Sequence, residues 1–401
     1  MSDPNGFPVL AINVGSSSLK FALFRLDPAE ITLVSGRIQR IGAEGGRIRA
    51  VDVEGSVVLD EQAEFADHES AVERVLSCFD QLRRFPKPRA IGHRIVHGGP
   101  NYWRPQRVTR NLINALNDWV SLDPDHLPQE IRAIEAVGRK FPELPQVACF
   151  DTAFHRAMPR VAQTVPLPAE YRREGIVRYG FHGLSYEYIL ARLRAEAGEA
   201  TAGGRVIIAH LGSGASMAAV DKGRPVETTM GLTPLGGLVL STRCGDLDPG
   251  VVLYLLQQQS VSPDAIDDLL NHRAGLLGVS GTTGDMQELL AREETDSQAA
   301  EAVELVCYRA RSFNGGLCAS LGGLDTLTFT GGIGENAPRI RKRILAGLDF
   351  LGVRIDDARN DRNEPIVSPD GDRVTVRVMP TNEELMIARH VGRLLAEARN
   401  S

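Results

Sequence analysis

Small polar side chains and one lysine cluster in the first apolar segment of the chain, Val9–Lys20 (VLAINVGSSSLK). Asn13 stands where a buried strand would still be apolar, Ser16 and Ser18 lie in the turn that follows, and Lys20 lies inside the next strand-like run. A cation with several N–H and hydroxyl donors suits anionic oxygens, and an amide oxygen suits a hydrated Mg²⁺. Gly and Ser are also common in surface turns, so this stretch alone leaves an ordinary β-turn open.

A second glycine-rich stretch lies near the end of the chain, at Thr330–Asn336 (TGGIGEN). It follows an apolar run and precedes a helix predicted to begin at Pro338. Glycines in a turn let the backbone approach a ligand closely, and the N-terminus of the helix favours negative charge. The stretch lacks the Lys-Ser/Thr pair of a Walker A loop and does not satisfy the dinucleotide fingerprint. It therefore predicts a phosphate-contacting turn of another type.

Basic side chains lie beside glycines at predicted strand ends and loops: His93, Arg94 and His97 end a predicted strand, and His182 and Arg243 lie in RYGFHGLS and STRCGDLDP. Binding and catalytic groups concentrate at such positions, although a single His or Arg more often has a structural role. Asp151, in CFDTAFH, closes another predicted strand. Its carboxylate has two possible roles, as the N-cap of a helix over Thr152–Ala157 or as part of the chemistry.

Strand patterns place these groups in an α/β architecture. Three short apolar runs with turn residues between them open the chain, which predicts an antiparallel meander. Strands and helices alternate after it. The predicted elements are strands Val9–Val14, Leu19–Leu26, Ile31–Ile41, Ala90–Val96 and Gln146–Phe150, and helices Ser70–Arg84, Leu112–Val120 and Pro128–Lys140.

The opening pattern then recurs in the second half of the chain. Val206–Val220 (VIIAHLGSGASMAAV) lies over Val9–Leu23 without a gap, with four of fifteen positions identical and the Gly-Ser of the turn aligned. A third strand-like segment (Arg224–Thr229), helices and an apolar strand (Thr326–Thr330) follow it. We interpret the chain as two copies of one α/β domain, each beginning with a strand–turn–strand hairpin whose backbone N–H groups suit phosphate.

Composition excludes several classes of protein. The 401 residues favour two domains, and the 43% hydrophobic and 24% charged residues are ordinary for a soluble protein. A net charge of -6 argues against a nucleic-acid partner, and no apolar run approaches the roughly 20 residues of a membrane span. The N-terminus lacks signal-peptide features, and five scattered cysteines fit reduced thiols. We therefore expect a cytoplasmic protein that binds neither nucleic acid nor a membrane.

With these pieces assembled, the chain resembles the acetate/propionate kinase family. The resemblance runs nearly end to end and rests on several long motifs in order. These are NVGSSSLK (Asn13–Lys20), GHRIVHGG (Gly92–Gly99), FDTAFH (Phe150–His155), YGFHG (Tyr179–Gly183), HLGSGAS (His210–Ser216), TRCGDLDPG (Thr242–Gly250), GGIGEN (Gly331–Asn336) and TNEELMIAR (Thr381–Arg389).

The resemblance implies the fold of the sugar kinase, actin and Hsp70 superfamily. Two duplicated domains of the ribonuclease H-like or actin-like type are expected, each a mixed sheet that opens with a β-meander and is flanked by helices. The first would span residues 1–150, and the second, residues 151–383, would carry the nucleotide site. A C-terminal helix over about 384–401 would pack back on the first domain. The resemblance also implies a homodimer.

The implied reaction is the reversible, Mg²⁺-dependent phosphorylation of acetate or another short carboxylate by ATP, giving an acyl phosphate and ADP by direct in-line transfer. Mn²⁺ is expected to substitute for Mg²⁺. A carboxylate is already ionised at pH 7, with a pKa near ~4, so it needs no general base. We therefore expect Asp151 to orient Arg94, Arg243 or a water molecule of the metal rather than to remove a proton.

The resemblance also assigns roles to individual residues. The catalytic residues would be Arg94, Asp151, His182 and Arg243, and the metal ligands Asn13 and Glu383. Arg94, Val96, His126, Phe181 and Pro234 would bind the acyl substrate, and the turn with Ser16 and Ser18 would face the transferring phosphoryl group. The ATP-binding residues would be Lys20, His210, Leu211, Gly212, Ser213, Gly214, Asp285, Met286, Gln287, Gly332, Ile333, Gly334, Glu335 and Asn336.

The sequence departs from the family pattern at a position of the acyl pocket. The family commonly has P-L-H-N-P where this chain has Pro124–Pro128 (PDHLP), so that Asp125 replaces an apolar leucine. A buried carboxylate beside an anionic substrate costs several kcal/mol unless it is neutralised or turned to solvent. Either Asp125 points away, or the substrate has a polar tail. Gln287, Ser213 and Gly236-Gly237 are the other departures, which replace Arg, Asn and a common Glu-Gly.

Three rival functions follow from the same residues. A kinase of the same superfamily acting on butyrate or a hydroxy acid would explain Asp125. A sugar kinase would need a general base, which Asp151 could supply, although Arg94 and Arg243 favour an anionic substrate. A non-enzymatic actin- or Hsp70-like ATP-binding module would need insertions for which the family motifs leave no room.

Overall fold

The structure, a computed structural model, describes residues 6–27, 29–81 and 85–400. The chain forms two units, and the segment between residues 154 and 189 alternates between them. Unit 1 contains the described residues within Met1–Phe154, Gly183–Tyr188 and Asn382–Ser401, and unit 2 contains His155–His182 and Ile189–Thr381.

Thirteen strands lie in the described residues and form one sheet in each unit. They are β1 (Pro8–Val14), β2 (Ser18–Arg25), β3 (Ile31–Gln39), β4 (Arg47–Asp52), β5 (Val57–Gln62), β6 (Ala90–Ile95), β7 (Gln106–Arg107), β8 (Gln146–Phe150), β9 (Val206–Leu211), β10 (Ala215–Asp221), β11 (Arg224–Thr228), β12 (Thr326–Thr330) and β13 (Thr375–Val378).

The sheet of unit 1 has the order β5-β4-β3-β2-β1-β6-β8-β7. Strands β1 to β5 pair antiparallel in sequence, whereas β6 is parallel to β1 and β8 is parallel to β6. All seven residues of β1 are buried. A continuous apolar run of this kind is typical of a central strand that is covered on both faces.

The sheet of unit 2 repeats this arrangement in the order β11-β10-β9-β12-β13. Strands β9, β10 and β11 form an antiparallel meander, and β12 and β13 continue the sheet in parallel from β9. The order corresponds strand for strand to β3-β2-β1-β6-β8 of unit 1. The predicted α/β class and the duplication, with a meander opening each mixed sheet, are therefore confirmed.

Sixteen α-helices in the described residues surround the two sheets. They are α1 (His68–Gln81), α2 (Arg110–Asp118), α3 (Leu127–Lys140), α4 (Arg160–Gln163), α5 (Ala169–Arg173), α6 (Gly183–Ala197), α7 (Glu199–Ala202), α8 (Pro249–Gln258), α9 (Pro263–His272), α10 (Gly275–Ser280), α11 (Met286–Arg292), α12 (Ser297–Leu321), α13 (Gly331–Asn336), α14 (Pro338–Leu345), α15 (Asp357–Asp361) and α16 (Glu383–Asn400).

Helices cover both faces of the unit 1 sheet because successive side chains of a strand point to opposite faces. Leu10 and Ile12 of β1 belong to a core shared with α1 and α3. Val9 and Ala11, which alternate with them, pack in a second core with Ile387 and Val391 of α16. The C-terminal helix therefore lies against the same strands that begin the chain.

The prediction of a turn at Gly331–Asn336 is wrong, because this segment forms helix α13. Gly331 has φ +79°, a value that favours glycine, and its N–H donates to Oε1 of Glu335 at 2.9 Å. The side chain of Glu335 thus caps the first turn from within the helix. Strands β4 and β5 are also absent from the prediction, and residues 82–84 of the predicted helix Ser70–Arg84 lie outside the described residues.

No helix among the described residues is both long enough and apolar enough to cross a membrane.

Candidate active site

The parallel strands of unit 1 bring three predicted site residues to one edge of the sheet. Asn13, Arg94 and Asp151 lie at the carboxyl ends of β1, β6 and β8. The carboxyl ends of parallel strands share one edge, which is where open α/β sheets bind ligands. Nη1 of Arg94 donates to Oδ1 of Asn13 at 3.5 Å, so the side chains at the ends of β1 and β6 are in contact.

Arg94 and Asp151 form a buried ion pair. Nε and NH2 of Arg94 donate to Oδ2 of Asp151 at 3.0 and 2.6 Å, and the two side chains are 13% and 0% exposed. Burial raises the pKa of Asp151, and Arg94 opposes that shift. Burial lowers the pKa of Arg94, but Asp151, Glu383 and Glu130 together raise it above its usual value. The carboxylate is therefore engaged with Arg94, and whether it acts in the chemistry stays a prediction.

Two glutamates of α16 converge on Asn13. Nδ2 of Asn13 donates to Oε2 of Glu383 and to Oε1 of Glu384, both at 3.0 Å. Oδ1 of Asp151 is buried and has no hydrogen-bond partner among the described residues. The group therefore offers several hard oxygen donors, which are the ligands that Mg²⁺ prefers.

The described residues contain no set of three or more His, Cys, Asp or Glu side chains that would hold a metal by themselves. Mg²⁺ usually takes one or two protein carboxylates and completes its shell with waters and phosphates. Asn13 and Glu383 therefore fit the predicted metal, and Glu384 adds a third oxygen-bearing side chain.

The turn between β1 and β2 is a tight hairpin turn. The N–H of Gly15 donates to the carbonyl of Ser18 at 2.8 Å, and Nε2 of His68 lies 2.8 Å from the carbonyl of Gly15. Lys20 pairs with Asn13 across the two strands and is exposed. The donors of the first predicted phosphate turn are therefore held near the Asn13 end of β1.

The two predicted nucleotide loops of unit 2 meet at the carboxyl ends of β9 and β12. These strands are parallel, with Thr330 opposite His210, so the turn Gly212–Gly214 and helix α13 leave the sheet side by side. A Cβ on Gly212 would lie 4.0 Å from the N atom of Gly332. Glycine at these positions leaves the backbone of both loops accessible to a ligand.

The turn Gly212–Gly214 and α13 line one cavity of about 490 Å³, together with the start of α11 and the two residues before it. This volume lies within the range of small-molecule sites, about 300–1,000 Å³. The lining residues are Gly212, Ser213, Ser241, Gly284, Asp285, Met286, Gln287, Leu290, Gly332, Ile333, Asn336, Ala337, Pro338 and Arg339.

His182 lies against the turn Gly212–Gly214. Its backbone is left-handed, with φ +60°, and its Nδ1 lies 2.8 Å from Oγ of Ser216. Its ring stacks on that of His210, with 4.4 Å between the ring centroids and 17° between the planes. A Cβ on Gly214 would lie 3.2 Å from Nε2 of His182. The ring is therefore held rigidly beside the predicted phosphate loop.

Arg243 is carried by a loop that is fastened to the start of α10. The N–H of Ala274 donates to the carbonyl of Thr242 at 3.0 Å, and that of Leu277 to the carbonyl of Ser241 at 2.9 Å. Gly275 has φ +62°, and a Cβ there would lie 2.7 Å from the carbonyl oxygen of Arg243. NH1 of Arg243 donates to the carbonyl of Pro234 at 2.9 Å. The backbone that carries the guanidinium is therefore preorganised.

The predicted acyl-binding residues divide between the units. In unit 1, Val96 is buried, and Nδ1 of His126 lies 2.8 Å from Oδ1 of Asp123. In unit 2, Phe181 is 1% exposed, and Pro234 is half-buried. Asp125, the residue that departs from the family pattern, is half-buried beside His126.

A profile of the acetokinase family matches residues 8–389, nearly the whole length of the chain. The chain belongs to this family. It is therefore a phosphotransferase whose acceptor is a carboxyl group.

Individual family members support this assignment. The acetate kinase of Rhodopseudomonas palustris is 46% identical over 395 residues, which cover 96% of this chain and 98% of the relative. The crystal structure of a propionate kinase from Francisella tularensis is 35% identical with a TM-score of 0.88, and 96% of this chain and 98% of that chain are covered. The acetate kinase structure from Porphyromonas gingivalis is 32% identical with a TM-score of 0.85, covering 97% and 100% of the two chains.

The structure of this acetokinase-family chain places the predicted site residues in two groups, one in each unit. Unit 1 carries Asn13, Ser16, Ser18, Lys20, Arg94, Val96, His126, Asp151 and Glu383, and unit 2 carries His182, Phe181, Pro234, Arg243 and the remaining ATP-binding residues. Their individual roles stay predictions.

Several residues next to these groups are missing from the sequence prediction. Glu384 follows Glu383 at the start of α16, and two acids at a helix start are a signal that the sequence contains. Ser241 and Arg339 line the cavity and border the motifs TRCGDLDPG and GGIGEN. Glu130 lies at an apolar position of α3, where a single acid interrupts the buried stripe.

Proposed function

We propose that this acetokinase-family chain transfers the γ-phosphoryl group of ATP to a short carboxylate of the acetate–propionate class, giving an acyl phosphate and ADP reversibly by in-line transfer. The proposal that ATP is the phosphoryl donor rests on the cavity that the turn Gly212–Gly214, α13 and Asp285–Gln287 line together. Kinase chemistry of this kind depends on positioning and on charge neutralisation rather than on covalent help.

The two groups of residues have complementary tasks in this proposal. The backbone N–H groups of the turn Gly212–Gly214 and of the first turn of α13 hold the phosphates, with His182 and Arg243 stabilising charge that develops during transfer. In unit 1, Arg94 binds the carboxylate of the acyl substrate, since a guanidinium matches a carboxylate with two parallel donors. Asp151 holds Arg94 in orientation through the bonds at 2.6 and 3.0 Å.

Asn13 and Glu383 are the residues that would hold Mg²⁺. Bound there, the ion would neutralise phosphate charge and help to orient the transferring group. Arg94 remains the protein group that binds the carboxylate, and the transfer needs no base from the protein because the acceptor is already ionised.

The identity of the acid depends on Asp125. A carboxylate that points away from the acyl group leaves an apolar pocket for acetate or propionate, whereas a carboxylate that faces the acyl group favours an acid with a polar substituent; Asp125 itself is half-buried beside His126. Replacing Asp125 by leucine is then expected to raise kcat/KM for propionate and butyrate about tenfold relative to a hydroxy acid, because an apolar side chain accepts added methylene groups.

Hydroxylamine trapping of the acyl phosphate tests the function and this prediction together. The wild-type enzyme, with ATP and Mg²⁺, is assayed on acetate, propionate, butyrate and a hydroxy acid, beside Asp125→Leu and the control Asp118→Leu at an exposed position of the same unit. Absence of hydroxamate from every acid would refute the proposed function. An unchanged preference in Asp125→Leu would show that Asp125 points away from the substrate.

We further propose that the chain forms a homodimer through the exposed face of α8. In this described helix (PGVVLYLLQQ) no residue is buried, and Leu253 and Tyr254 are 53% and 55% exposed. Val251, 40% exposed, lies on the same helix. A second copy of the chain fits a self-complementary apolar patch of this kind.

Sedimentation velocity tests the dimer. Tyr254→Asp is expected to convert a dimer into a monomer, because a charge in a buried apolar interface is strongly unfavourable. Val161→Asp, at an apolar residue 82% exposed elsewhere in unit 2, is the control and should leave the dimer intact. A wild-type chain that sediments as a monomer would contradict the proposal.

A further inference from the structure

A buried carboxylate that the proposed reaction does not use lies in the first turn of α3. Glu130 is the fourth residue of this helix and is 1% exposed. Glutamate is rarely buried to this extent unless it has a partner. The surrounding positions of α3, which include Leu127, Ile131 and Ile134, are apolar and buried. The position therefore has the burial of a core residue and the chemistry of a site residue.

The partner of Glu130 is the backbone at the end of β6. The N–H of Val96 donates to both carboxylate oxygens of Glu130, at 3.2 and 3.1 Å. The ladder between β6 and β8 ends at the pair Ile95–Phe150, so Val96 is the first residue beyond it. A buried N–H outside a ladder needs another acceptor, and the carboxyl group of Glu130 is that acceptor.

This backbone segment carries two predicted substrate contacts. Arg94 lies two residues before the N–H that Glu130 accepts, and Val96 itself belongs to the predicted acyl pocket. The pair Arg94–Asp151 fixes the guanidinium from one side. Glu130 fixes the backbone of the same segment from α3.

Charged groups of three elements surround the carboxylate. They are Arg94 of β6, Asp123 in the segment before α3, and Asp151 after β8. The backbone carbonyl of His126, one helical turn before Glu130, accepts the backbone N–H of Glu130 at 3.0 Å. Burial raises the pKa of Glu130 well above its usual value, Asp123 and Asp151 add to the shift, and Arg94 opposes it. An apolar residue would fill this position without the cost of burying a carboxylate, so the bond to Val96 is the feature of Glu130 that needs an explanation.

We propose that Glu130 is a positioning residue for the acyl substrate, which holds the segment Arg94–Val96 in its binding arrangement through the N–H of Val96. The inference rests on the proposed function, since it takes Arg94 as the group that binds the substrate carboxylate. It adds a residue that touches neither substrate nor nucleotide and acts through the backbone. Its effect is therefore specific to the acyl substrate, because the nucleotide loops belong to unit 2.

Glu130→Ala removes the acceptor and leaves the N–H of Val96 unpaired. We expect KM for the acyl substrate to rise about tenfold while KM for ATP stays within about twofold, because only the positioning of Arg94 is disturbed. Glu130→Gln keeps the length of the side chain and one acceptor oxygen. Its acyl KM is expected to rise only about threefold, which is a partial rescue relative to alanine.

Steady-state kinetics of the full-length enzyme test the inference, with acyl substrate and ATP varied separately and the melting temperature recorded. Glu135→Ala, at a half-buried glutamate of the same helix, is the matched control and should leave both KM values unchanged. Equal changes in the two KM values, or loss of thermal stability without a change in acyl KM, would overturn the proposal. If the Glu130→Ala variant does not fold, the Glu130→Gln variant tests the proposal. A KM for the acyl substrate equal to that of the wild type in this variant would overturn the proposal.

This experiment separates the inference from the proposed function. A wild-type enzyme that forms no acyl phosphate refutes the function. An active wild type whose Glu130 variants bind the acyl substrate normally refutes only the role of Glu130.

Discussion

Replacing Arg243 by alanine is expected to lower kcat by about 10³- to 10⁵-fold, the range for arginines that stabilise charge during phosphoryl transfer. The backbone of Arg243 is fastened by the bonds of Thr242 and Ser241 to the start of α10, and the guanidinium is anchored on the carbonyl of Pro234 at 2.9 Å. A donor held in advance needs no reorganisation during the reaction, so its removal affects the transition state most. KM for ATP and for the acyl substrate should change much less than kcat.

Arg243→Lys and Arg273→Ala complete this experiment. Lysine keeps the charge but lacks the planar fork, so it should recover only part of the lost activity. Arg273 is an exposed residue of unit 2 that pairs with Asp268 at 2.6 Å, and its loss should leave kcat unchanged. Steady-state rates of acyl phosphate formation measure all three. If Arg243→Ala raised KM with kcat intact, its role would be binding rather than charge stabilisation.

Replacing Asp151 by asparagine is expected to lower kcat/KM for the acyl substrate about 10²-fold or more, since misplacement of a binding group by about 1 Å has an effect of this size. Asp151 is 0% exposed, and its Oδ2 accepts both bonds from Arg94. The substitution removes the charge that orients Arg94 and leaves a buried guanidinium without its counter-ion. Thermal stability should therefore fall as well.

The pH dependence of the Asp151→Asn variant distinguishes orientation from base catalysis. An ionised carboxylate substrate needs no base, so we expect the loss of activity to be the same at every pH above the pKa of the substrate. Activity that returned at high pH, or with added small bases, would instead show that Asp151 removes a proton. Asp118→Asn, at an exposed acid of unit 1, is the control and should behave as the wild type.

The hairpins that open each sheet were predictable because their signals are local. A buried strand shows as an apolar run, a tight turn shows as glycine and serine, and these patterns lie within about fifteen residues in both copies. Strands β1 and β2 accordingly lie within one residue of the predicted bounds. Strand β5, at the edge of the sheet, was missed because its second half is exposed and polar, whereas β4 alternates exposed and buried residues and its signal was overlooked.

The helix α13 shows why local patterns fail at the nucleotide loop. Three glycines in six residues favour a turn, since glycine weakens helices by about 1 kcal/mol each. Arg341, fully buried, donates through NH1 to the carbonyls of Gly334 and Glu335 at 2.9 and 3.1 Å. Burial lowers the pKa of Arg341 to about 10. These bonds satisfy the end of the helix from outside it, so packing overrides propensity.

The chemical groups, the two repeated hairpins and the family of the chain are all evident in the amino-acid sequence. Which of those groups come into contact depends on the tertiary structure. Asn13 bonds Glu383, 370 residues away, because α16 packs on the β1–β6 face of the sheet. Glu130 reaches the end of β6 because α3 covers the opposite face. Such contacts depend on strand order and helix packing, which arise from burial of the whole sheet rather than from any local pattern.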